Sequence, residues 1–256
     1  MIGKSTIKLI KSLALKKFRI KENLFLVEGD KIVSEVLDSD YLVEKLFVTN
    51  SYLISNKEKC KKARLFTEVS PSDIKKASQL KNPQNCLALC RIPAKSDHPN
   101  NLGNNLSIYL DDIQNPGNLG TIIRICDWFN VEYLFLSPKT VDCYMPKVIQ
   151  ASMGSFCRIK ILTIGFEQLA DFAAESDIPI YGAFLEGNNV YREMLPQRAI
   201  LVMGNEGNGI QKEVEKKINK KIKIPEISLN AKRAESLNVS VATAIICSEF
   251  KRQLFS

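Results

Sequence analysis

Twice in the second half of this sequence a short apolar run gives way to a loop of glycine and asparagine, which leads into a helical stretch. Ser107–Ile113 (SIYLDDI) enters Asn115-Pro-Gly-Asn-Leu-Gly120, then a helix over Thr121–Phe129 and another apolar run at Val131–Leu136. Ala199–Met203 enters Gly204-Asn-Glu-Gly-Asn-Gly209, then a helical stretch over Gln211–Asn219. Strands alternating with helices predict a mainly parallel sheet with helices on both faces. In such sheets ligands collect where the carboxyl ends of strands enter their loops, so both loops are candidate sites. A third stretch runs from Lys223-Ile-Pro225 to Ser236-Leu-Asn-Val-Ser-Val-Ala-Thr-Ala-Ile245. Its small and β-branched residues predict a tightly packed helix, with Ser236 and Asn238 as caps.

The first third is organised differently. Apolar runs at Leu24–Val27, Lys45–Val48 and Cys86–Arg91 alternate with lysine-bearing helical stretches such as Asp30–Leu37 and Ser72–Gln79. A polar stretch from Ala94 to Asn105 (AKSDHPNNLGNN) has the composition of a linker. The sequence therefore divides into a small α/β domain at 1–95, a linker at 96–106 and a larger α/β domain at 107–256. The charge is divided too. Residues 1–95 hold 19 Lys and Arg against 10 Asp and Glu, a net of +9, and the remainder holds 17 against 18. An excess confined to one domain points to a polyanion as its partner.

Composition excludes several classes. No apolar stretch is long enough for a membrane span, and the lysine-studded N-terminus lacks the core of a signal peptide. Seven cysteines are scattered without zinc-like pairing, as expected of idle thiols in a reducing cytoplasm. The single histidine, His98, lies in the polar linker, which rules out a multi-histidine metal site and disfavours a Ser-His-Asp triad. The Asn115 loop is not G-x-G-x-x-G, and the next strand ends in Ser137-Pro138 where a nicotinamide site would need an acid. A nucleotide-dependent small-molecule enzyme is disfavoured accordingly.

Taken in order, N-P-G-N-x-G-x-x-x-R, G-N-E-G-x-G and I-P…S-L-N-V-S-V-A strongly resemble the SpoU (TrmH-like) branch of the SPOUT RNA methyltransferases. The resemblance covers residues 107–252. A looser one covers Lys16-Lys-Phe-Arg-Ile-Lys-Glu-Asn-Leu-Phe-Leu-Val-Glu-Gly29, which is similar to the opening signature of that family's substrate-binding domain. The resemblance implies an α/β fold with a deep trefoil knot in the C-terminal domain and a smaller N-terminal α/β RNA substrate-binding domain. It also implies S-adenosylmethionine as methyl donor, an rRNA or tRNA ribose 2′-hydroxyl as acceptor, with rRNA favoured, and a cytoplasmic homodimer. No metal and no membrane are implied. The alternative is a non-catalytic RNA-binding protein of the same fold that assists ribosome assembly.

By position in these motifs, Met203, Gly204, Ile224 and Leu237 fall where the family contacts its cofactor. Asn118, Arg124, Glu206, Ser236 and Asn238 occupy its functional polar positions. Transfer to a hydroxyl needs in-line geometry, loss of the hydroxyl proton and an immobilised RNA. A guanidinium is a poor base, so Arg124 is read as anchoring a phosphate and stabilising the developing alkoxide. Asn118 is expected to orient Arg124 or the ribose, Glu206 to pair with Arg124, and Ser236 and Asn238 to hold the loop or the nucleotide. The connection EISLNAKRAE after Pro225 is longer than the family's usual one, and its Lys232 and Arg233 either touch RNA or are a solvated insertion. For the first domain, Lys16, Lys17, Arg19 and Lys21 form the expected RNA-binding cluster, beside Phe18, which either stacks on a base or belongs to the core.

Overall fold

The computed structural model describes residues 1–94, 102–227 and 235–255. His98, Lys232 and Arg233, most of the 96–106 linker and much of the connection before Ser236 lie outside the described residues. Two compact units emerge, Met1–Ala94 with Asp142–Arg158, and Lys95–Val141 with Ile159–Ser256.

The first unit follows the order α1 (Lys4–Ser12), α2 (Lys16–Glu22), β1 (Leu24–Glu28), α3 (Asp30–Leu37), β2 (Val43–Val48), α4 (Asn50–Cys60), β3 (Phe66–Glu68), α5 (Pro71–Ala77) and β4 (Cys86–Arg91). Its sheet runs β1-β4-β2-β3, with β4 antiparallel to both neighbours and β3 parallel to β2. Strand side chains alternate between faces. Leu26, Phe47, Leu87 and Leu89 meet Ile10 and Leu13 from α1 and its C-terminal turn, and Ile74 and Ala77 from α5. The opposite face is covered by α3 and α4. Helix α1 is amphipathic: Ile7 and Ile10 turn inward, while Lys4, Lys8 and Lys11 share the outer side. Helix α5 starts at Pro71 behind Ser70, whose hydroxyl accepts the N–H of Asp73 at 3.2 Å.

Residues 142–158, assigned from sequence to the second domain, group with the first unit instead. Side-chain chemistry gives the reason. Phe25 packs against Tyr144 with ring centroids 4.7 Å apart, and Phe156 packs against Phe25 and Tyr41 at 6.0 and 5.4 Å. Gln150 Nε2 donates to the Glu28 carbonyl at 2.7 Å, and Arg158 pairs with Glu35 at 2.5 Å. Arg19 is the anchor. It is 2% exposed, donates to Asp142 Oδ2 from Nε at 2.9 Å and from its terminal nitrogen at 2.6 Å, and caps the carbonyls of Leu13 and Ala14. This corrects the expectation that Arg19 joins a surface RNA-binding cluster: every donor group named here is already used inside the fold. Lys16, Lys17 and Lys21 stay exposed, and Lys17 lies 5.1 Å from the ring of half-buried Phe18.

The second unit begins with β5 (Leu106–Leu110), α6 (Pro116–Trp128) and β6 (Tyr133–Leu136). The chain then supplies α7 (Pro146–Ser152) to the first unit and returns as β7 (Lys160–Thr163), α8 (Phe166–Glu175), β8 (Ile180–Asn189), β9 (Ala199–Met203), α9 (Lys212–Glu215), β10 (Lys220–Lys223) and α10 (Val239–Arg252). The sheet order is β10-β8-β9-β5-β6-β7 and every pairing is parallel. The α/β expectation with a parallel sheet is met. Helix α9 stops short of the expected Asn219, because Asn219 is taken by the sheet: it exchanges backbone and side-chain hydrogen bonds with Ile180 at 2.9 and 2.7 Å, immediately before β10. Among the described residues, no helix is long and apolar enough to cross a membrane.

Candidate active site

Strand β5 is followed by two aspartates that organise the adjoining loops. Asp111 is fully buried. Its N–H donates to the Met203 carbonyl at 2.9 Å, and its carboxylate accepts from the Gln211 backbone and side chain at 2.7 and 2.5 Å. Asp112 takes a left-handed conformation (φ 61°), donates to Ser137 Oγ at 2.9 Å and accepts at its carbonyl from Asn205 Nδ2 at 2.7 Å. The loops after β5, β6 and β9 are thus tied together by fixed polar groups rather than by apolar packing.

The Gly204–Gly209 loop closes on itself. Asn205 and Gly209 exchange both backbone hydrogen bonds at 3.0 and 2.9 Å, with Gly209 at φ 66°. Asn205 Oδ1 accepts the N–H groups of Gly207 and Asn208. A Cβ on Gly204 would stand 2.4 Å from the Gly209 carbonyl carbon and the Ile210 nitrogen, so no larger residue fits this backbone. Met203 is 2% exposed, which leaves only its backbone for a ligand. Ile224 is half-buried just beyond β10, and Leu237 is 50% exposed just before α10.

The three sequence motifs meet at one hydrogen-bonded chain. Asn115 caps α6 by accepting from Gly117 and Asn118 at 2.8 and 3.3 Å, which fixes the first turn and aims the Asn118 side chain. Asn118 Nδ2 donates to Glu206 Oε1 at 2.5 Å, and Asn238 Nδ2 donates to Asn118 Oδ1 at 3.1 Å. Asn238 Oδ1 in turn accepts from the Ser240 N–H and hydroxyl at 3.0 and 2.6 Å, capping α10. One amide therefore joins a residue from each motif.

Arg124 and Ser236 stand outside this chain. Arg124 is exposed on α6 and makes no ion pair or hydrogen bond among the described residues. The expected Glu206–Arg124 pair is replaced by the Glu206–Asn118 bond. Ser236 is exposed, and the cap of α10 is Asn238 alone. Thiol chemistry has no part in this region. Burial raises the Cys126 thiol well above its usual range and pushes Cys247 up to about 12, so both stay protonated and inert.

The sequence reading missed one contributor. Strand β8 pairs with β9 through Gly182, opposite Val202, and with β10 through Gly182, opposite Lys221. It rejoins β10 only at Asn188, opposite Ile222, so Ala183–Gly187 bulge out against a single step of β10. The bulge opens at the level where β9 passes into Met203 and Gly204, and it leaves Leu185 71% exposed. A Cβ on Gly187 would lie 2.8 Å from the Lys221 carbonyl oxygen. Glycines at both ends, Gly182 and Gly187, were the available signal.

Comparisons with known proteins agree with this geometry. The SpoU rRNA Methylase family matches residues 105–248, and the MRM3-like substrate binding domain matches residues 4–88. The 23S rRNA (guanosine(2553)-2′-O)-methyltransferase RlmP of Bacillus subtilis is 30% identical over 92% of this chain and 92% of its own. A candidate RNA methyltransferase of the TrmH family from Porphyromonas gingivalis is 36% identical and superposes with a TM-score of 0.88 over 99% of both chains. An AdoMet-bound rRNA methyltransferase from Sinorhizobium meliloti is 27% identical, with a TM-score of 0.87 over 100% of this chain and 97% of that one. Motif order, parallel sheet and full-length similarity lead to one conclusion: the chain belongs to the SpoU rRNA methylase family.

Proposed function

We propose that this protein transfers a methyl group from S-adenosylmethionine to a ribose 2′-hydroxyl of ribosomal RNA. The carrying observation is the Glu206–Asn118–Asn238 chain, which fastens three distant motifs into one site at the carboxyl edge of a parallel sheet. Family membership and the RlmP-like length support the reading.

The residues present fit the cofactor. Gly204 lets its loop fold tightly against Gly209 and Ile210, and Leu185 in the β8 bulge, Ile227 after β10 and Leu237 before α10 leave apolar surface exposed. Met203 and Gly204 would hold the cofactor through backbone groups, and Ile224 and Leu237 through apolar contact. The cofactor supplies an electrophilic methyl group on a sulfonium. The protein's share is to hold the RNA and to stabilise charge. Arg124, a guanidinium without a partner among the described residues, anchors a phosphate beside the acceptor ribose and stabilises negative charge on the 2′-oxygen. Asn118 and Glu206 fix the α6 entry against the glycine loop, Asn238 holds the start of α10, and Ser236 offers a hydroxyl to the nucleotide.

The same reading makes the protein a cytoplasmic homodimer whose C-terminal unit carries the trefoil knot. Trp128, Met194 and Phe255, 85, 89 and 91% exposed, supply apolar surface for a second copy. The return of the chain after β10 to pack α10 against α6 is read as the threaded segment. The test is direct. Purified protein, methyl-labelled S-adenosylmethionine and unmodified rRNA should give label in alkali-resistant dinucleotides, the signature of a blocked 2′-hydroxyl. Cofactor binding with no transfer to rRNA would instead make this a non-catalytic RNA-binding member of the family.

A further inference from the structure

The two helical layers of the first unit treat their lysines in opposite ways. On the α3/α4 side positive charge is largely neutralised at short range. Lys59 and Lys62 share Asp38 at 2.5 and 2.7 Å, and Lys61 pairs with Glu58 at 2.7 Å. Those contacts hold the Asp38 and Glu58 carboxyls below the usual carboxylate range. Lys31 and Lys57 make no ion pair there among the described residues, and the acids on the same helices, Glu35 and Glu58, already pair with Arg158 and Lys61. On β2, Glu44 pairs with both Arg64 and Arg91, at 3.2 and 2.5 Å.

The α1/α5 side has no such compensation. Lys4, Lys8 and Lys11 recur at i, i+4 and i+7, one stripe along about 10 Å of helix. Lys75 and Lys76 are exposed on α5, which packs beside α1, and Lys81 is exposed just beyond it. None of these six makes an ion pair among the described residues. The one acid on either helix, Asp73, is 7% exposed and takes the Ser70 hydroxyl at 2.9 Å. Neither helix carries an aromatic residue, so this surface offers charge without a stacking platform.

We infer that the α1/α5 face, rather than the Lys16–Lys21 helix, is where the first unit docks the sugar–phosphate backbone of the RNA. The inference rests on the proposed RNA substrate. Six uncompensated lysines without aromatics bind phosphates and not bases, which gives affinity and register without sequence readout. Helix α2 is the weaker surface, because Arg19 is turned inward and Glu22 stands beside Lys21.

Two full-length variants with identical charge changes separate these surfaces: K4E/K8E/K11E on α1 and K16E/K17E/K21E on α2. Binding of unmodified large-subunit rRNA transcript is measured across a KCl series, and cofactor affinity by calorimetry verifies that each protein is folded. The α1 variant should lose at least about tenfold in affinity, with the log–log salt slope reduced by about 2 to 3, since each lost phosphate contact removes roughly 0.7–0.9. The α2 variant should lose much less. Should charge reversal prevent folding, K4Q/K8Q/K11Q against K16Q/K17Q/K21Q gives the same contrast. Wild-type affinity in the α1 variant, or equal losses in both, overturns the assignment while leaving the methyltransferase reading intact. Failure of the wild-type protein to bind or methylate rRNA overturns that reading itself, and is seen before any variant is compared.

Discussion

The two units place function in different parts of similar α/β frameworks. In the second, candidate chemistry sits in loops at the ends of parallel strands, where backbone shape decides what fits. In the first, the candidate interface is a pair of helix faces, where shape is ordinary and only the balance of charge is unusual. Sites built from backbone geometry need residues such as Gly204, Asn115 and Pro116 at fixed spacings and so leave a motif. A surface built from charge needs only an excess of lysine, which many arrangements supply. That difference can be broken or sharpened by experiment.

The largest expected effect is on the independence of the units. Removing residues 1–94 takes away Phe25 and Tyr41, against which Tyr144 and Phe156 pack, and strand β1, against which α7 with its buried Val148 and Ile149 packs. Burial of such side chains is worth about 1.5–3 kcal/mol each, so the four together approach the whole stability of a domain. The truncated chain 95–256 should therefore aggregate or melt without cooperativity, not merely lose RNA affinity. A sharp melt at the full-length temperature would show that the 142–158 segment is dispensable and that the division at the linker is the physical one.

Gly204→Val tests the backbone-coded site. Its side chain must displace the Gly209 and Ile210 backbone, which are themselves locked by the Asn205–Gly209 pair. Calorimetry should detect no S-adenosylmethionine binding, because the loop is remade rather than the ligand merely obstructed. Unchanged affinity would remove this loop from the cofactor site. Arg124→Ala should behave otherwise, since Arg124 supports no other residue described. It should lower kcat by about 10²–10³-fold with cofactor affinity near wild type, the pattern of a group that acts on transition-state charge. A matching loss of cofactor affinity would make it a binding residue.

Much of the second unit was legible because its strands are short, apolar and followed by loops rich in glycine and asparagine. The motifs mark Asn118, Glu206 and Asn238 as functional positions but not their mutual contacts, and the expected Glu206–Arg124 pair gives way to the amide of Asn118, six residues before Arg124. The bulge at 183–187 had only Gly182 and Gly187 as a local signal, because a register shift depends on which strand pairs with which, and β8 lies between strands that follow it in sequence. In the first unit Arg19 looked like the lysines around it. Its burial depends on Asp142, a residue 123 positions away. Local sequence can show that a cation is present, but the fate of that cation is decided by tertiary packing.

The smallest expected effect concerns a buried acid in the charge-coded unit. Glu28 ends β1 at 4% exposure and accepts from the Ser78 hydroxyl and, at 3.1 Å, from the Gln79 N–H, just past the end of α5. Burial is the dominant influence and raises its pKa, with the hydrogen bonds from Ser78 and Gln79 opposing it only in part. A carboxyl whose folded pKa lies above its unfolded value binds protons more strongly when folded. Its stabilising contribution is fully present below the unfolded value of 4.5 and is lost as pH rises through the folded one. Ionisation of Glu28 in the folded protein is then a cost. Glu28→Gln, which keeps an acceptor for Gln79 without the charge, should gain on wild type as pH rises from about 4.5. The gain should level off above the folded pKa, at about 2–4 °C in melting temperature per kcal/mol. A melting-temperature difference that stays flat across this range would mean that Glu28 is solvated by means other than Ser78 and Gln79. The α5 end of the charge-coded unit would then be more open to water than its burial indicates.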